Sequence, residues 1–265
     1  MVELISSIKC KLAECPLWNI HENRLYFTDI KQHCLWRLDP QTRNAEKFYN
    51  SQFKIGGFAF NNDGTLILCA ESHVFKLYKN GETEKLYSMD FSPKERFNDI
   101  TTDPAGRIYV GTMNSGLFLF EKDKKPVTLI KKVNCSNGMA FNLSENKFYH
   151  AVTKDCLINS YDYNRRTGAI SDRKNFINFQ NSQEWPDGLT IDLEGCLWVA
   201  FWNDGVKRIS PDGRVIHEVE IPMKNPTSVI FGGKKLDELF ITTASGGIFR
   251  IKPETGGQAE WPAKF

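Results

Sequence analysis

Four residues with oxygen-bearing side chains occupy equivalent positions in a repeating sequence pattern. Each lies four residues before the apolar or β-branched residue that precedes a turn, and the four are Glu14, Asn98, Asn137 and Asp187. Gly56 and Thr227 occupy the same position in two further repeats, and the six positions are separated by 39 to 50 residues. Because equivalent positions of a closed repeat fold occupy equivalent places in space, these side chains are predicted to converge.

This set of side chains suits a metal ion. Two converging carboxylates, Glu14 and Asp187, would repel each other and lose solvation, whereas a divalent cation would satisfy both and also accept the amide oxygens of Asn98 and Asn137. Oxygen donors favour a hard ion, so calcium is the preferred ion, with magnesium, manganese or zinc as alternatives. The competing interpretation is that each residue only hydrogen-bonds a neighbouring repeat.

The elements that position these residues follow from the repeat. Each unit contains an apolar segment, a turn rich in Asn, Asp or Gly, and further short strands, so four antiparallel strands form one blade. The units begin ECPLWNIHENRLYFTDI, GGFAFNNDGTLILCA, NDITTDPAGRIYVGT, NGMAFNLSENKFYHAV, DGLTIDLEGCLWVAF and TSVIFGGKKLDELFIT. The prediction is an all-β, six-bladed β-propeller that forms a single domain over residues 1–265. The sixth unit ends in a poor fourth strand, GQAEWPAKF, so the amino-terminal VELISSIK is predicted to complete blade six and close the ring.

Composition narrows the classes of function. Lys+Arg 34 against Asp+Glu 32 leaves a net charge of +2, which gives no global field for nucleic acid or an anionic membrane. The seven cysteines are scattered without a CxxC pair, which predicts reduced structural thiols. The amino terminus lacks a signal-peptide pattern, and no apolar stretch is long enough to span a bilayer, so a cytoplasmic protein is expected. We also expect a monomer with a small-molecule partner.

Several segments, taken in order, carry a family resemblance. They are AECPLW, RFNDITTDPAGRIYVGTM, SNGMAFNLSENKFYH, YDYNRRTGAIS, PDGLTIDLEGCLWVA and GGIFRI. Through them the chain resembles the gluconolactonase family that includes regucalcin, also called senescence marker protein. The resemblance implies hydrolysis of sugar lactones at one divalent ion held by Glu14, Asn137 and Asp187, with Asn98 near the metal or on the substrate. It further implies that Asp187 is the catalytic carboxylate and that Arg96 contacts the substrate.

The sequence also departs from that family's pattern. After GTM the chain continues directly through NSGLFLF, where related members carry an insertion with acidic residues, and Val152 and Thr153 replace an Asp-Ser pair. Both departures leave the substrate open. The chemistry expected is a metal that polarises a lactone carbonyl while Asp187 acts as base. A non-enzymatic calcium-binding regulator, or a hydrolase of another ester-like substrate at the same metal site, are the alternatives. Asp99 is interpreted as structural because it should face away from Asn98, and His150 as a packed histidine.

Overall fold

The computed structural model describes all 265 residues as six four-stranded antiparallel sheets arranged as the blades of a propeller. The chain begins with β1 (Glu3–Ser6). Blade one contains β2 (Ala13–Asn19), β3 (Arg24–Asp29), β4 (Cys34–Leu38) and β5 (Ala45–Asn50); blade two contains β6 (Ile55–Phe60), β7 (Leu66–Ala70), β8 (His73–Leu77) and β9 (Thr83–Ser88). Blade three contains β10 (Phe97–Thr102), β11 (Ile108–Thr112), β12 (Gly116–Phe120) and β13 (Val127–Lys131); blade four contains β14 (Ser136–Phe141), β15 (Lys147–Val152), β16 (Leu157–Tyr163) and β17 (Ile170–Asn178). Blade five contains β18 (Pro186–Ile191), β19 (Leu197–Phe201), β20 (Val206–Ile209) and β21 (Val215–Val219), and blade six contributes β22 (Pro226–Gly232), β23 (Glu238–Thr243) and β24 (Ile248–Ile251).

The sixth blade is completed by the amino-terminal strand, as predicted. β1 pairs antiparallel with β24, with Glu3 opposite Arg250 and Leu4 opposite Phe249. The Arg250 side chain also donates to the Glu3 carboxylate at 2.6 Å. Strands from the two ends of the propeller sequence therefore share one sheet, and β1 covers the edge that β24 would otherwise expose.

Helical structure is limited to two 3-10 turns, at Ile30–Gln32 and Thr153–Asp155. Neither has the length or the apolar character needed to cross a lipid bilayer, and no other helix is present. Each turn connects the second and third strands of its blade, in blades one and four. Thr153 consequently lies at the same end of blade four as the start of β14, where the predicted ring residue Asn137 is found.

The core lies between neighbouring blades. In blades two and three the innermost and second strands are almost entirely buried, whereas the fourth strands contain only exposed and half-buried residues. Aromatic residues fill these interfaces: for example, the Tyr109 ring of blade three lies 5.3 Å from the Phe141 ring of blade four. All seven cysteines are free and buried, which agrees with the predicted structural thiols.

Candidate active site

The predicted ring residues lie where the innermost strand of every blade is irregular. Pairing between the first and second strands shifts by a bulge at this point in all six blades, at Glu14/Leu17, Ile55/Gly57, Phe97/Asp99, Ser136/Met139, Pro186/Leu189 and Pro226/Ser228. A bulge adds a residue without a cross-strand partner and redirects the neighbouring side chains. It therefore turns the start of each innermost strand toward the propeller axis.

Asn98 and Asn137 are in direct contact across the boundary between blades three and four. The Asn98 Nδ2 donates to Asn137 Oδ1 at 2.9 Å and to the carbonyl of Ser136 at 3.0 Å. Both amides are buried. With its nitrogen used in this way, Asn98 keeps its own Oδ1 free to accept from, or to coordinate, a bound group.

Thr153 connects Asn137 to the neighbouring blade five. Its Oγ1 accepts from Asn137 Nδ2 at 2.8 Å and donates to the carbonyl of Pro186 at 2.7 Å. Pro186 immediately precedes Asp187, so one hydroxyl fixes both the amide of one predicted ligand and the backbone of another. Sequence reasoning noted Thr153 only as a departure from a family pattern and missed this positioning contact.

Asp187 carries an uncompensated acceptor at the axis. Its side chain is 3% exposed and its Oδ1 has no hydrogen-bond partner. Burial raises the pKa of Asp187 well above its ordinary value, and the neighbouring carboxylates Glu14 and Asp99 raise it further. An orphaned buried carboxylate oxygen of this kind calls for a cation, because an unpaired charge in a water-poor site is costly.

Glu14, on blade one, is a second carboxylate whose pKa is raised by burial. Burial raises the pKa of Glu14 to about 8, with a further contribution from Asp99, whereas Arg96 acts in the opposite direction. The charge of Glu14 raises the pKa of Asp187 although the two residues are on blades one and five. The donor chemistry of two carboxylates and two amides fits a hard divalent ion.

Arg96 lies in the loop before β10 and is largely buried. Burial lowers the pKa of Arg96, against the effect of Cys135, Glu14, Glu95 and Asp187. Its Nη1 donates to the carbonyl of Phe97 at 2.8 Å. The guanidinium therefore belongs to the electrostatic environment of the two axial carboxylates, where it can meet an anionic or oxygen-rich substrate.

Glu95 holds the short turn after Met113, where related family members carry a longer insertion. It accepts from the backbone of Arg96 at 3.1 Å, from the backbone of Asn114 at 3.1 Å and from the hydroxyl of Ser115 at 2.9 Å. This buried carboxylate ties the loop that carries Arg96 to the turn beside it. No sequence pattern marks Glu95 as functional, because it lies outside the repeated ring position.

The two remaining ring positions have structural roles. The Thr227 hydroxyl donates to the carbonyl of Ala13 at 2.6 Å and thereby connects blade six to blade one. At Gly56 an added Cβ would lie 2.2 Å from the carbonyl oxygen of Phe97, so only glycine permits this approach of blades two and three. The interpretation of ring residues as contacts between blades therefore holds for these two positions.

The other residues singled out from the sequence give mixed outcomes. His150 is fully buried, with Nε2 2.7 Å from Ser136 Oγ, which confirms a packed histidine. Asp99 is interpreted as structural from the sequence, and its Oδ1 accepts from the backbone of Ile100 at 2.7 Å, but its charge also raises the pKa of Glu14 and of Asp187. The bulge between Phe97 and Asp99 removes the strict alternation on which that interpretation depended.

Comparison with known proteins gives consistent matches. A family model described as the SMP-30/Gluconolactonase/LRE-like region matches residues 12–245. Pentonolactonase XacC of Haloferax volcanii is 34% identical over 251 residues, covering 92% of this chain and 86% of that protein. Regucalcin of Xenopus laevis is 32% identical over 278 residues, covering 97% and 92%. A solved structure of a luciferin-regenerating enzyme superposes with a TM-score of 0.94 at 25% identity, covering 100% of this chain and 99% of that one.

Proposed function

Because the chain belongs to the SMP-30/Gluconolactonase/LRE-like family, we propose that it is a metal-dependent lactonase that opens sugar lactones at the axial site, with Asp187 as the base. The pentonolactonase at 34% identity supports the reaction class. The observation that carries the site assignment is the buried Asp187 Oδ1 without a partner, in a carboxylate whose pKa the charge of Glu14 raises further.

Glu14, Asn137 and Asp187 would hold the ion, with Asn98 as a fourth ligand or a substrate contact. When bound, a divalent cation polarises the lactone carbonyl and stabilises the negative charge that develops on its oxygen. Calcium is the ion we favour, because it accepts carboxylate and amide oxygens together and tolerates irregular geometry. Three or four protein ligands leave room for water and substrate.

The protein's own groups account for binding and proton transfer. Arg96 would donate to oxygens of the sugar, the free Oδ1 of Asn98 would accept from one of its hydroxyl groups, and together they would fix its carbonyl carbon near the axis. Asp187 would accept a proton from the water whose oxygen attacks that carbon. As the ester C–O bond breaks, the same carboxyl group returns the proton to the departing ring oxygen, which becomes a hydroxyl.

Two other functions use the same site. A calcium-binding regulator would bind the ion without turning over a substrate. The similarity to regucalcin is the reason to consider this alternative. A hydrolase of another ester-like substrate would use the same carboxylate and metal, since the short turn held by Glu95 changes only the rim of the site.

The deciding experiment measures hydrolysis of a panel of aldonolactones and aryl esters with calcium, magnesium, manganese or chelator. The proposal predicts metal-dependent lactone opening that Asp187→Ala reduces at least about 100-fold, the usual range for a lost general base. Asp90→Asn is the matched control, because Asp90 is an exposed carboxylate on the loop before β10. Calcium binding without turnover of any substrate would support the regulator, and turnover of aryl esters alone would support the other hydrolase.

A further inference from the structure

A large cavity opens on the face of the propeller opposite the axial carboxylates. Its volume is about 860 Å³, within the range of about 300 to 1,000 Å³ typical of small-molecule sites. Its walls include the ends of innermost strands and the turns after them, such as Ile20, Phe60 and Phe231. Because Glu14, Asn98 and Asp187 stand at the beginnings of innermost strands, the two sites lie at opposite ends of the channel.

The carboxy-terminal segment Gly257–Phe265 closes part of this face. Gly257 bridges to Asp192 in blade five, and Ala263 donates to the carbonyl of Phe60 in blade two at 2.8 Å. Between these anchors the Trp261 ring lies 5.9 Å from the Phe141 ring of blade four. The segment therefore crosses the channel mouth, and Ala259, Glu260 and Trp261 form one wall of the cavity.

Glu260 is a carboxylate on this wall that makes no hydrogen bond or ion pair within the chain. Its side chain is exposed and lines the cavity. Desolvation by the surrounding walls raises the pKa of Glu260 to about 7, and the charge of Asp99 adds to this effect. Two long basic side chains also line the cavity: Arg37, which is bound to Glu46 at 2.6 Å, and Lys79, which is exposed. Neither forms an ion pair with Glu260, so the Glu260 carboxylate has no cation from the chain.

The other surfaces of the cavity are apolar and aromatic. Tyr26 lies on the wall with its ring 5.3 Å from that of Phe60, and Trp18, Phe231 and Trp261 complete a lining of flat hydrophobic groups. Such a lining favours an apolar body, and aromatic faces also attract a positive charge. A charged anchor at one end and aromatic walls around it are complementary to an amphipathic cation.

We propose that this cavity binds a small organic cation, a protonated amine on an aromatic or aliphatic body, with its ammonium group on the Glu260 carboxylate. This site is separate from the proposed lactonase site and does not depend on that function. A neutral molecule of the same shape would leave the carboxylate unpaired, and an anion would be repelled by it.

Calorimetric titration of the calcium-loaded protein with 2-phenylethylammonium, 2-phenylethanol and 3-phenylpropionate tests the proposal. We expect the ammonium compound to bind about tenfold or more tightly than the other two, the usual effect of one hydrogen-bonded charge. Glu260→Gln should remove that preference, and Ala259→Trp, which fills the cavity, should abolish binding. Glu254→Gln, a nearby exposed carboxylate, should bind as the unmodified protein does.

The fold of each variant is checked by its melting temperature and by any lactone turnover of the unmodified protein, neither of which Glu260→Gln should change. The proposal is overturned if the ammonium compound does not bind, if all three compounds bind equally, or if a folded Glu260→Gln variant retains the preference for the cation.

Discussion

Replacing Thr153 with valine should weaken the axial site from a position outside its ligand set. Valine has nearly the same shape but removes the Oγ1 that accepts from Asn137 at 2.8 Å and donates to the Pro186 carbonyl at 2.7 Å. Both partners would be left buried, at a cost of about 1–3 kcal/mol each. The Asn137 amide retains a weak contact with Cys135 Sγ at 3.8 Å, so we expect a total of about 2–4 kcal/mol. For a chain of this size that lowers the melting temperature by roughly 4–16 °C.

The same change should be visible in metal binding. Loss of a group that orients a ligand commonly weakens metal affinity by about 10- to 100-fold. Calcium titration followed by calorimetry, with lactone turnover measured at increasing calcium, would separate a lowered affinity from a lost reaction. Thr153→Ser is the matched control, because it keeps the hydroxyl and should restore most of the affinity. The reasoning is refuted if Thr153→Val binds calcium as tightly as Thr153→Ser, or if the serine variant is equally impaired.

Two further predictions concern blade four. Burial lowers the pKa of His150 to about 3, so the folded protein excludes a proton that the unfolded chain binds below about pH 6.5. Stability should fall as the pH drops from about 6.5 to about 3, by on the order of 5 kcal/mol from this residue, and urea unfolding of His150→Gln across that range should show a smaller fall. An equal fall in both proteins would contradict the assignment. In Gly138→Ala the new Cβ would lie 2.5 Å from the carbonyl oxygen of Asp187 and from the nitrogen of Leu189. Overpacking of this kind costs about 1–3 kcal/mol and displaces Asp187, so the melting temperature and the metal affinity should drop together. A variant with the melting temperature and metal affinity of the unmodified protein would show that the blades can separate freely here.

The fold could be predicted from the sequence because its information is repeated six times. Alternating apolar runs separated by turns such as NDG, PAG and LEG fix the hairpins, and the period of about 40 residues fixes the number of blades. The closure by VELISSIK followed from simple counting of strands, and its pairing with β24 confirms it. The contact between Asn98 and Asn137 was predictable for the same reason, because equivalent positions of the repeat occupy equivalent places in each blade.

What the sequence did not reveal depends on departures from regular geometry. Strict strand alternation places Asp99 on the face opposite Asn98, but a bulge interrupts the alternation at that point, and the charge of Asp99 raises the pKa of both Glu14 and Asp187. Bulges are set by the fit between adjacent strands and leave no periodic mark in the residues themselves. Thr153 illustrates a second limit, because its role arises from contacts with residues 16 and 33 positions away in different strands. The repeat therefore predicts which groups converge, whereas the groups that orient them emerge only when neighbouring blades are packed together.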